Sequence, residues 1–246
     1  MTQLSELPSP AVPRHVAVIM DGNGRWARER GWHRNRGHRA GIESVRAVVR
    51  AAREYGVRYL TLYAFSSENW GRPAREVQAI MGLLRYFLAA EVPALKRQGV
   101  RLRAIGELDR LPPRSLAAVR RAEEETRACA DLDLILALSY GGRDEILSAI
   151  RKLLAQGADP ATLDEAGFRR CLYAPDVPDP DLLIRTSGEV RVSNFLLWQI
   201  AYTEIYVTAA LWPDFREDAF RDALADFARR ERRFGLTAEQ VLGGDP

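Results

Sequence analysis

Residues 15–41 read HVAVIMDGNGRWARERGWHRNRGHRAG and decide the fold, because they join a buried strand to a helix through a polar turn. Residues 15–20 are apolar and predict the strand. Residues 21–24, Asp-Gly-Asn-Gly, tolerate left-handed backbone and cap helices through their own side chains. A helix start presents unpaired N–H groups and a partial positive charge, so this turn predicts a phosphate-binding site.

Basic residues crowd the segment after the turn, and guanidinium groups bind phosphate oxygens bidentately. A charge run is ordinarily a solvated helix face. Here, Asp21 and Glu29 are the only carboxylates in the run, so local ion pairs cannot neutralise it. Trp26 and Trp32 stand among charges, which favours contact with a ligand or a partner chain. The basic residues are Arg25, Arg28, Arg30, Arg34, Arg36, Arg39, His33 and His38.

The composition is that of a soluble globular protein, since 47% of the 246 residues are hydrophobic and 28% are charged. We expect one globular domain over residues 15–235, with flexible tails at 1–14 and 236–246. The net charge is only +3, so the basic character is local and suits a small polyanion better than nucleic acid. An RNA-binding protein that uses residues 25–39 is the alternative from a different class, although no RNA-module motif supports it.

Cysteine usage and hydropathy predict the compartment. Cys129 and Cys171 fall on predicted helices, which indicates a reducing compartment and no disulfide. The N-terminus lacks a basic start followed by an apolar core, and no segment reaches the ~18 apolar residues that span a bilayer. We expect a cytoplasmic protein that is at most peripheral at the inner membrane face.

Apolar segments alternate along the chain between strand-like and helix-like spacing. This alternation predicts an α/β fold, a single domain with a mostly parallel central sheet that helices flank on both faces. Ligands bind such sheets at the carboxyl ends of strands, where this chain places its polar clusters. The predicted strands are 15–20, 59–65, 100–105, 132–138, 181–185 and 204–208, and the predicted helices include 73–97, 113–129, 143–155, 164–172 and 215–230.

The helix predicted at 73–97 carries a wide apolar stripe. Core packing explains such a stripe, but one side of it could also line a hydrophobic tunnel for an apolar chain. The two roles use the same residue types, so the sequence leaves both open. The stripe comprises Val77, Ile80, Met81, Leu84, Phe87, Leu88, Val92 and Leu95.

Two acids, Asp21 after the first strand and Glu204 in a short apolar context, fit a phosphate-rich substrate bound with Mg²⁺. The chain lacks G-x-x-x-x-G-K-[ST] and the third glycine of the dinucleotide fingerprint, which disfavours a nucleotide. Its two cysteines and three histidines show no zinc-ligand spacing.

Five motifs in order carry a resemblance to the cis-prenyltransferases, and within them to the bacterial undecaprenyl diphosphate synthases. They are MDGNGRWA, RGHRAG, YAFSSENWGRP, SYGGR and RTSGEVRVSNFLLWQIAYTEIY, over residues 15–215. The resemblance implies a homodimer that adds isopentenyl diphosphate repeatedly onto an allylic diphosphate, expected to be farnesyl diphosphate, with Mg²⁺ and new cis double bonds. The expected product is undecaprenyl diphosphate, a lipid-carrier precursor for cell-wall synthesis. A medium- or short-chain product stays open, because one bulky floor residue can shorten a cavity.

The same resemblance assigns the site residues. It implies that Asp21 is catalytic and binds Mg²⁺, with Glu204 as the second ligand, and that Asn69 takes part in proton removal. A neutral amide is a poor base, so we expect Asn69 to position a proton relay. The residues expected to bind substrate are Gly22, Asn23, Gly24, Arg25, Trp26, Arg34, His38, Ser66, Ser67, Glu68, Trp70, Arg72, Arg185, Arg191, Val192 and Ser193.

The chain departs from the family pattern in the loop after the fifth strand. Ser187 stands where the family has glycine, and Val190 replaces a histidine or polar residue. We expect Ser187 to substitute for glycine only if its backbone angles are ordinary. A catalytically silent subunit of the same fold is the remaining alternative, but such chains lose the acid and glycine turn that residues 21–24 retain.

Overall fold

Six parallel strands form the central sheet of the computed structural model, which describes residues 12–230. They are β1 (His15–Ile19), β2 (Tyr59–Ser66), β3 (Val100–Ile105), β4 (Leu132–Tyr140), β5 (Leu182–Arg185) and β6 (Glu204–Val207). Their order across the sheet is β3-β4-β2-β1-β5-β6, and every pairing is parallel. The predicted α/β fold is therefore confirmed. Of the predicted tails, 236–246 and residues 1–11 of 1–14 lie outside the described range.

Seven α-helices lie in the described part of the chain. They are α1 (Asn23–Glu29), α2 (Arg34–Glu54), α3 (Ala74–Arg97), α4 (Pro113–Thr126), α5 (Gly142–Ala155), α6 (Glu165–Arg169) and α7 (Glu217–Ala228). The prediction that Cys129 and Cys171 lie on helices is wrong, because α4 and α6 each end before the cysteine and the chain turns there. Both thiols are free. No helix within residues 12–230 is long and apolar enough to cross a bilayer.

Side chains that alternate along each strand fill two separate cores. Val16 and Val18 point into a large core that also contains residues of α2, α3 and α7. Ala17 and Ile19 point to the opposite face, where they pack with Phe195. Because both faces are covered, β1, β4 and β5 are buried along their whole length, whereas the edge strand β3 alternates apolar residues with arginines.

The chain order places a crevice between β1 and β5. From β1 the chain moves to β2 on one side, and it later returns from β4 across the sheet to β5 on the other side. This reversal is a topological switch point, where open parallel sheets bind ligands beyond the strand ends. Asp21 and Thr186 follow these two strands, so the predicted polar clusters meet at this position.

Strand β3 is an edge strand, and side chains from α4 satisfy its outward N–H groups. Leu102 N donates to the Thr126 hydroxyl oxygen (2.9 Å), and that hydroxyl donates to Ala122 O (2.8 Å). Ala104 N donates to Oε1 of Glu123 (2.9 Å). These contacts block the unpaired edge, which would otherwise offer a template for another strand.

We expect Thr126→Val to lower the free energy of unfolding by about 1–3 kcal/mol, because it leaves the buried Leu102 N–H without an acceptor at nearly constant side-chain shape. Urea denaturation followed by circular dichroism measures the loss. Thr162→Val is the matched control, since that hydroxyl donates to Asp159 O on the exposed surface, and it should change stability by less than about 0.5 kcal/mol. Equal stability of both variants would contradict the assigned role of Thr126.

Candidate functional site

Asp21 lies at the carboxyl end of β1, and two hydrogen bonds hold its carboxylate. Oδ1 accepts from the Gly22 N–H (2.7 Å), and Oδ2 accepts from Nη2 of Arg185 (2.8 Å). Its backbone is fixed as well, because Asp21 N donates to the Thr186 hydroxyl oxygen (2.9 Å) and that hydroxyl donates to Asp21 O (2.7 Å). The Asp21 side chain is 38% exposed, whereas that of Arg185 is 4% exposed. An accessible acid therefore contacts a buried guanidinium where β1 meets β5.

Arg185 connects Asp21 to the loop after β5. Its Nη1 donates to Arg191 O (2.6 Å) and to Oγ of Ser193 (2.7 Å), so the structure brings these three predicted residues together. Nε of Arg185 is buried and has no partner within residues 12–230. An unpaired buried donor is costly. An anion bound beside Arg185 would supply the missing acceptor.

Ser187 does not meet the condition for substituting for glycine, which is ordinary backbone angles. Its φ is 76°, in the left-handed region that favours glycine, and Gly188 has the same angle. The turn is held there because Ser187 N donates to Ala210 O and Gly188 N donates to Thr208 O, both at 2.8 Å. Such a conformation costs a non-glycine residue on the order of 1–3 kcal/mol and persists where surrounding contacts enforce it.

Glu189, which is not among the predicted site residues, joins Arg25 of α1 to Arg191 in the loop after β5. Arg25 Nη2 donates to its Oε1 (2.9 Å), and Arg191 Nη1 donates to its Oε2 (2.7 Å). These bonds lower the pKa of the exposed Glu189 carboxyl. Arg25 Nη1 also donates to Ser187 O (2.9 Å). The position of Glu189 in the RTSGE motif was the only signal that could have identified it.

Helix α1 has a glycine as its N-cap residue, and no side chain caps it. Gly22 is the N-cap residue with φ 104°, and it has no side-chain capping bond. The prediction that this polar turn caps the helix through its own side chains is therefore wrong. Asn23 instead donates from Nδ2 to Met20 O (3.2 Å), and its Oδ1 is buried without a partner in the described range. The helix start stays open to an anion.

The RGHRAG motif allows α1 and α2 to pack backbone to backbone. A Cβ at Gly37 would lie 1.8 Å from Asn23 O, and one at Gly41 would lie 2.5 Å from Oδ1 of Asn23. No side chain fits at either position, so both glycines are needed for the helices to approach this closely. The two glycines therefore set the position of Asn23 and of the turn that contains Asp21.

A polar cluster at the first turn of α3 comprises Arg34, His38, Arg72 and Glu76. Arg34 donates to Oε2 of Glu76 (2.7 Å) and Arg72 donates to its Oε1 (3.1 Å). Burial lowers the pKa of His38 to about 4, and the charges of Arg72 and Arg34 add to this effect, so His38 is neutral at pH 7. Its Nε2 is buried without a partner in the described range. Glu76 is not recognisable as a site residue from the sequence, because an acid in the first turn of a helix is common.

Residues Ser67–Gly71 form a 3-10 turn after β2 that presents the YAFSSENWGRP motif. Asn69 accepts from Ser66 N through Oδ1 (3.2 Å), so part of its side chain stabilises the turn. Trp70 donates from Nε1 to Oγ of Ser139 (2.9 Å). Asn69 is therefore held in place, and it also lines a cavity between the sheet and α3.

A cavity of about 240 Å³ has a polar mouth and an apolar interior. Asp21, Arg34, His38, Asn69 and Arg72 line its polar side. The apolar stripe of α3 serves both roles left open above. Ile80, Met81, Leu84 and Phe87 line the cavity, and Met81 and Phe87 are also buried in the large core, to which Val77, Leu88, Val92 and Leu95 belong as well. The shape suits a molecule with a charged head and an apolar chain.

Two side chains expected to bind substrate are engaged elsewhere. Trp26 donates to Oδ1 of Asp214 (2.7 Å) and packs against Trp32 with ring centroids 5.5 Å apart, so it joins α1 to a neighbouring turn. Val192 packs into the core around Phe195. Both side chains thus make contacts within the fold while they stay partly exposed, and their contact with a substrate stays a prediction.

Glu204 and Asp21 do not converge within one chain. Ile19, Arg185 and Val207 lie level with one another across the sheet. Glu204 precedes Val207 by three residues on β6, so at about 3.3 Å per residue it lies about 10 Å from that level, toward the amino ends of the strands. Its Oε2 accepts from Nη1 of Arg230 (2.9 Å). Within residues 12–230 no three acidic, histidine or cysteine side chains cluster as metal ligands. The accessible Asp21 carboxylate nevertheless fits Mg²⁺, which commonly takes one or two carboxylates together with phosphate oxygens and waters.

We expect Gly37→Ala to disrupt the site, because its Cβ would overlap the carbonyl oxygen of Asn23 and displace the turn before α1. Ligand affinity should fall by at least about tenfold, measured by titration with inorganic diphosphate. The control is Gly82→Ala in α3, where a Cβ has no neighbour closer than 3.9 Å. That variant should bind normally and gain up to about 1 kcal/mol of stability. Normal binding by Gly37→Ala would contradict the close-packing role.

Comparison with known proteins identifies the family to which this site belongs. A family model for undecaprenyl diphosphate synthases, Prenyltransf, matches residues 19–235. Isoprenyl transferase 2 of Bradyrhizobium diazoefficiens is 54% identical over 227 residues, which cover 91% of this chain and 90% of the relative. A farnesyl-diphosphate-specific ditrans,polycis-undecaprenyl-diphosphate synthase of Pectobacterium atrosepticum is 51% identical, with 92% of this chain and 91% of the relative covered.

A solved structure agrees with the same assignment. Lavandulyl diphosphate synthase from Lavandula x intermedia, crystallised with dimethylallyl diphosphate, superposes with a TM-score of 0.90 at 39% identity. The match covers 92% of this chain and all of that chain. Motifs, fold and relatives together show that this chain belongs to the undecaprenyl diphosphate synthase family of prenyltransferases.

Proposed function

We propose that the protein adds isopentenyl diphosphate repeatedly to farnesyl diphosphate and releases a long-chain cis-polyprenyl diphosphate, undecaprenyl diphosphate. One observation carries this proposal. The hydrogen bond between Asp21 and Arg185 joins two anion-binding loops at the mouth of an apolar cavity. A reaction between two diphosphates, one of which carries a growing apolar chain, requires this combination of sites. The names of the relatives, one of them specific for farnesyl diphosphate, support it.

The allylic diphosphate fits the open start of α1. The N–H groups after Gly22 and the guanidinium groups of Arg25 and Arg34 face this polar region, and the apolar chain would extend toward α3. When the C1–O bond breaks, negative charge develops on the departing diphosphate. Fixed N–H dipoles and guanidinium groups stabilise that charge more than they stabilise the bound substrate, which lowers the barrier.

Isopentenyl diphosphate fits the loop after β5, where Nε of Arg185 lacks an acceptor. C4 of its double bond would bond to C1 of the allylic group as the allylic diphosphate leaves, and the cation formed at C3 would then lose a proton from C2 to give the new double bond. Asn69 orients this substrate, because an amide is a poor base and its side chain is held by the 3-10 turn. His38 is neutral and partly buried, and its Nε2 is available for a hydrogen bond.

Mg²⁺ belongs to the proposal as the required metal. Asp21 would hold it, with phosphate oxygens and waters completing its coordination, and when bound it would neutralise the charge of the leaving diphosphate. Glu204 remains a proposed second ligand, although it pairs with Arg230 within its own chain.

A long product is supported by the small Ala64 on the cavity wall and by the length of apolar α3 beside it. A medium- or short-chain product is the second candidate, because lavandulyl diphosphate synthase, which is structurally similar to this chain, is named for a different product.

We further propose a cytoplasmic enzyme that touches the inner membrane face when it releases a lipid-soluble product. The relatives are named as isoprenyl transferases and diphosphate synthases, which argues against RNA as the ligand of residues 25–39.

A homodimer is part of the proposal. Leu147, Ile150 and Leu154 form an exposed apolar stripe on α5 at spacings of three and four residues, and Leu154 is 73% exposed. A stripe of this kind on a soluble protein marks a protein interface. A second copy is the expected occupant, because symmetric homodimers are the most common assemblies.

The function is tested by incorporation of labelled isopentenyl diphosphate with farnesyl diphosphate and Mg²⁺, followed by chromatography of the products. We expect Asp21→Ala to lower kcat by at least about 100-fold, because the charge and position of the carboxylate are lost. Asp218→Ala changes a highly exposed acid on α7 and should keep normal activity. A fully active Asp21→Ala protein would overturn the assignment, and short products from the native chain would select the second candidate.

The dimer is tested by light scattering after size-exclusion chromatography. We expect a native mass of twice 27.7 kDa, and a single-chain mass for the Leu147→Asp, Leu154→Asp double variant, because charges cannot be buried unpaired at the stripe. Leu163→Asp places the same charge at another exposed leucine and should leave the dimer intact. A native monomer, or a double variant that remains dimeric, would exclude this interface.

A further inference from the structure

Three loops of the site meet at one residue, Asn194. Its Nδ2 donates to Oε1 of Glu68 (2.7 Å) in the turn after β2. Its Oδ1 accepts from Arg143 N (2.9 Å) and its carbonyl oxygen accepts from Gly142 N (2.7 Å), both at the start of α5. Asn194 itself belongs to the loop after β5. It therefore connects the carboxyl ends of β2, β4 and β5 through three hydrogen bonds.

The backbone at this position is left-handed over two consecutive residues. Ser193 has φ 48° and Asn194 has φ 60°. Such angles are unfavourable for non-glycine residues and persist only where contacts enforce them, although asparagine tolerates them better than most. The contacts of Asn194 hold Ser193 in place, and Ser193 in turn accepts a hydrogen bond from Arg185. The geometry of Arg185 thus depends on Asn194.

Glu68 ties the opposite loop into the same arrangement. It lies in the 3-10 turn that also contains Asn69, so the bond from Asn194 fixes that turn relative to Ser193. Burial alone would raise the pKa of Glu68, but hydrogen bonds from Asn194, Ser66 and Ser67 outweigh it and lower the pKa. The carboxylate is therefore an ionised acceptor at neutral pH, which strengthens the bond.

We propose that Asn194 and Glu68 form a positioning pair that sets the distance between the two diphosphate sites. This inference rests on the proposed function. Neither side chain needs to touch the reacting atoms, because the pair acts through Ser193 and Arg185 on one side and through Asn69 on the other. An error of about 1 Å between bound reactants costs on the order of 100-fold in rate. The pair should therefore control kcat while each site still binds its own substrate.

The test exchanges donor and acceptor between the two positions. Asn194→Asp keeps the left-handed backbone and the acceptor for Arg143 N, but it opposes a second carboxylate to Glu68. We expect kcat to fall roughly 10- to 100-fold, with Kd for each diphosphate measured alone within about threefold of native. Adding Glu68→Gln restores the hydrogen bond with its direction reversed, because the amide at position 68 now donates to the carboxylate at position 194. The double variant should recover at least about tenfold of the lost kcat.

Three comparisons make the result decisive. Gln98→Glu, the same amide-to-carboxylate change at the exposed end of α3, should leave kcat unchanged. If Asn194→Asp does not fold, Glu68→Ala alone decides, since its side chain is exposed and it should lower kcat about tenfold without loss of binding. If the native chain incorporates isopentenyl diphosphate, two results would each overturn the positioning pair. One is a double variant that recovers no activity, and the other is a single variant that loses binding affinity as much as kcat. A native chain without this activity would instead overturn the proposed function.

Discussion

The burial of the Arg185 guanidinium is the constraint on which the site depends. A charge removed from water costs several kcal/mol unless it is paired and hydrogen-bonded. Arg185 meets this cost with the carboxylate of Asp21, the carbonyl of Arg191 and the hydroxyl of Ser193. Since these partners come from the ends of β1 and β5 and from the following loop, one buried charge sets the geometry of both halves of the site.

Close backbone packing provides the second requirement. Gly37 and Gly41 let α2 approach Asn23, and two hydrogen bonds between Asp21 and Thr186 fix the end of β1 to the end of β5. The turn before α1 therefore cannot shift without disturbing either the helix contact or the strand contact. Preorganised groups of this kind stabilise developing charge without reorganisation during the reaction.

Helix α3 shows how one sequence pattern serves two purposes. Its apolar stripe is wide enough to face both the sheet and the cavity, so Met81 and Phe87 line the cavity while Leu88 and Leu95 fill the core. At its first turn, Glu76 binds two arginines of the polar mouth. The helix thus joins the charged and apolar parts of the site in a single rigid element.

The sequence alone determined the alternation of elements and the strands, because a sheet buried on both faces demands continuous apolar runs of strand length. It also located the acid turn at Asp21 and the Arg185 loop, because chain order places strand ends on one edge. Only the tertiary structure decided that Trp26 binds Asp214, that Glu204 lies below the site, and that Ser187 is left-handed. These features depend on contacts between residues far apart in the chain, and local composition carries no record of such partners.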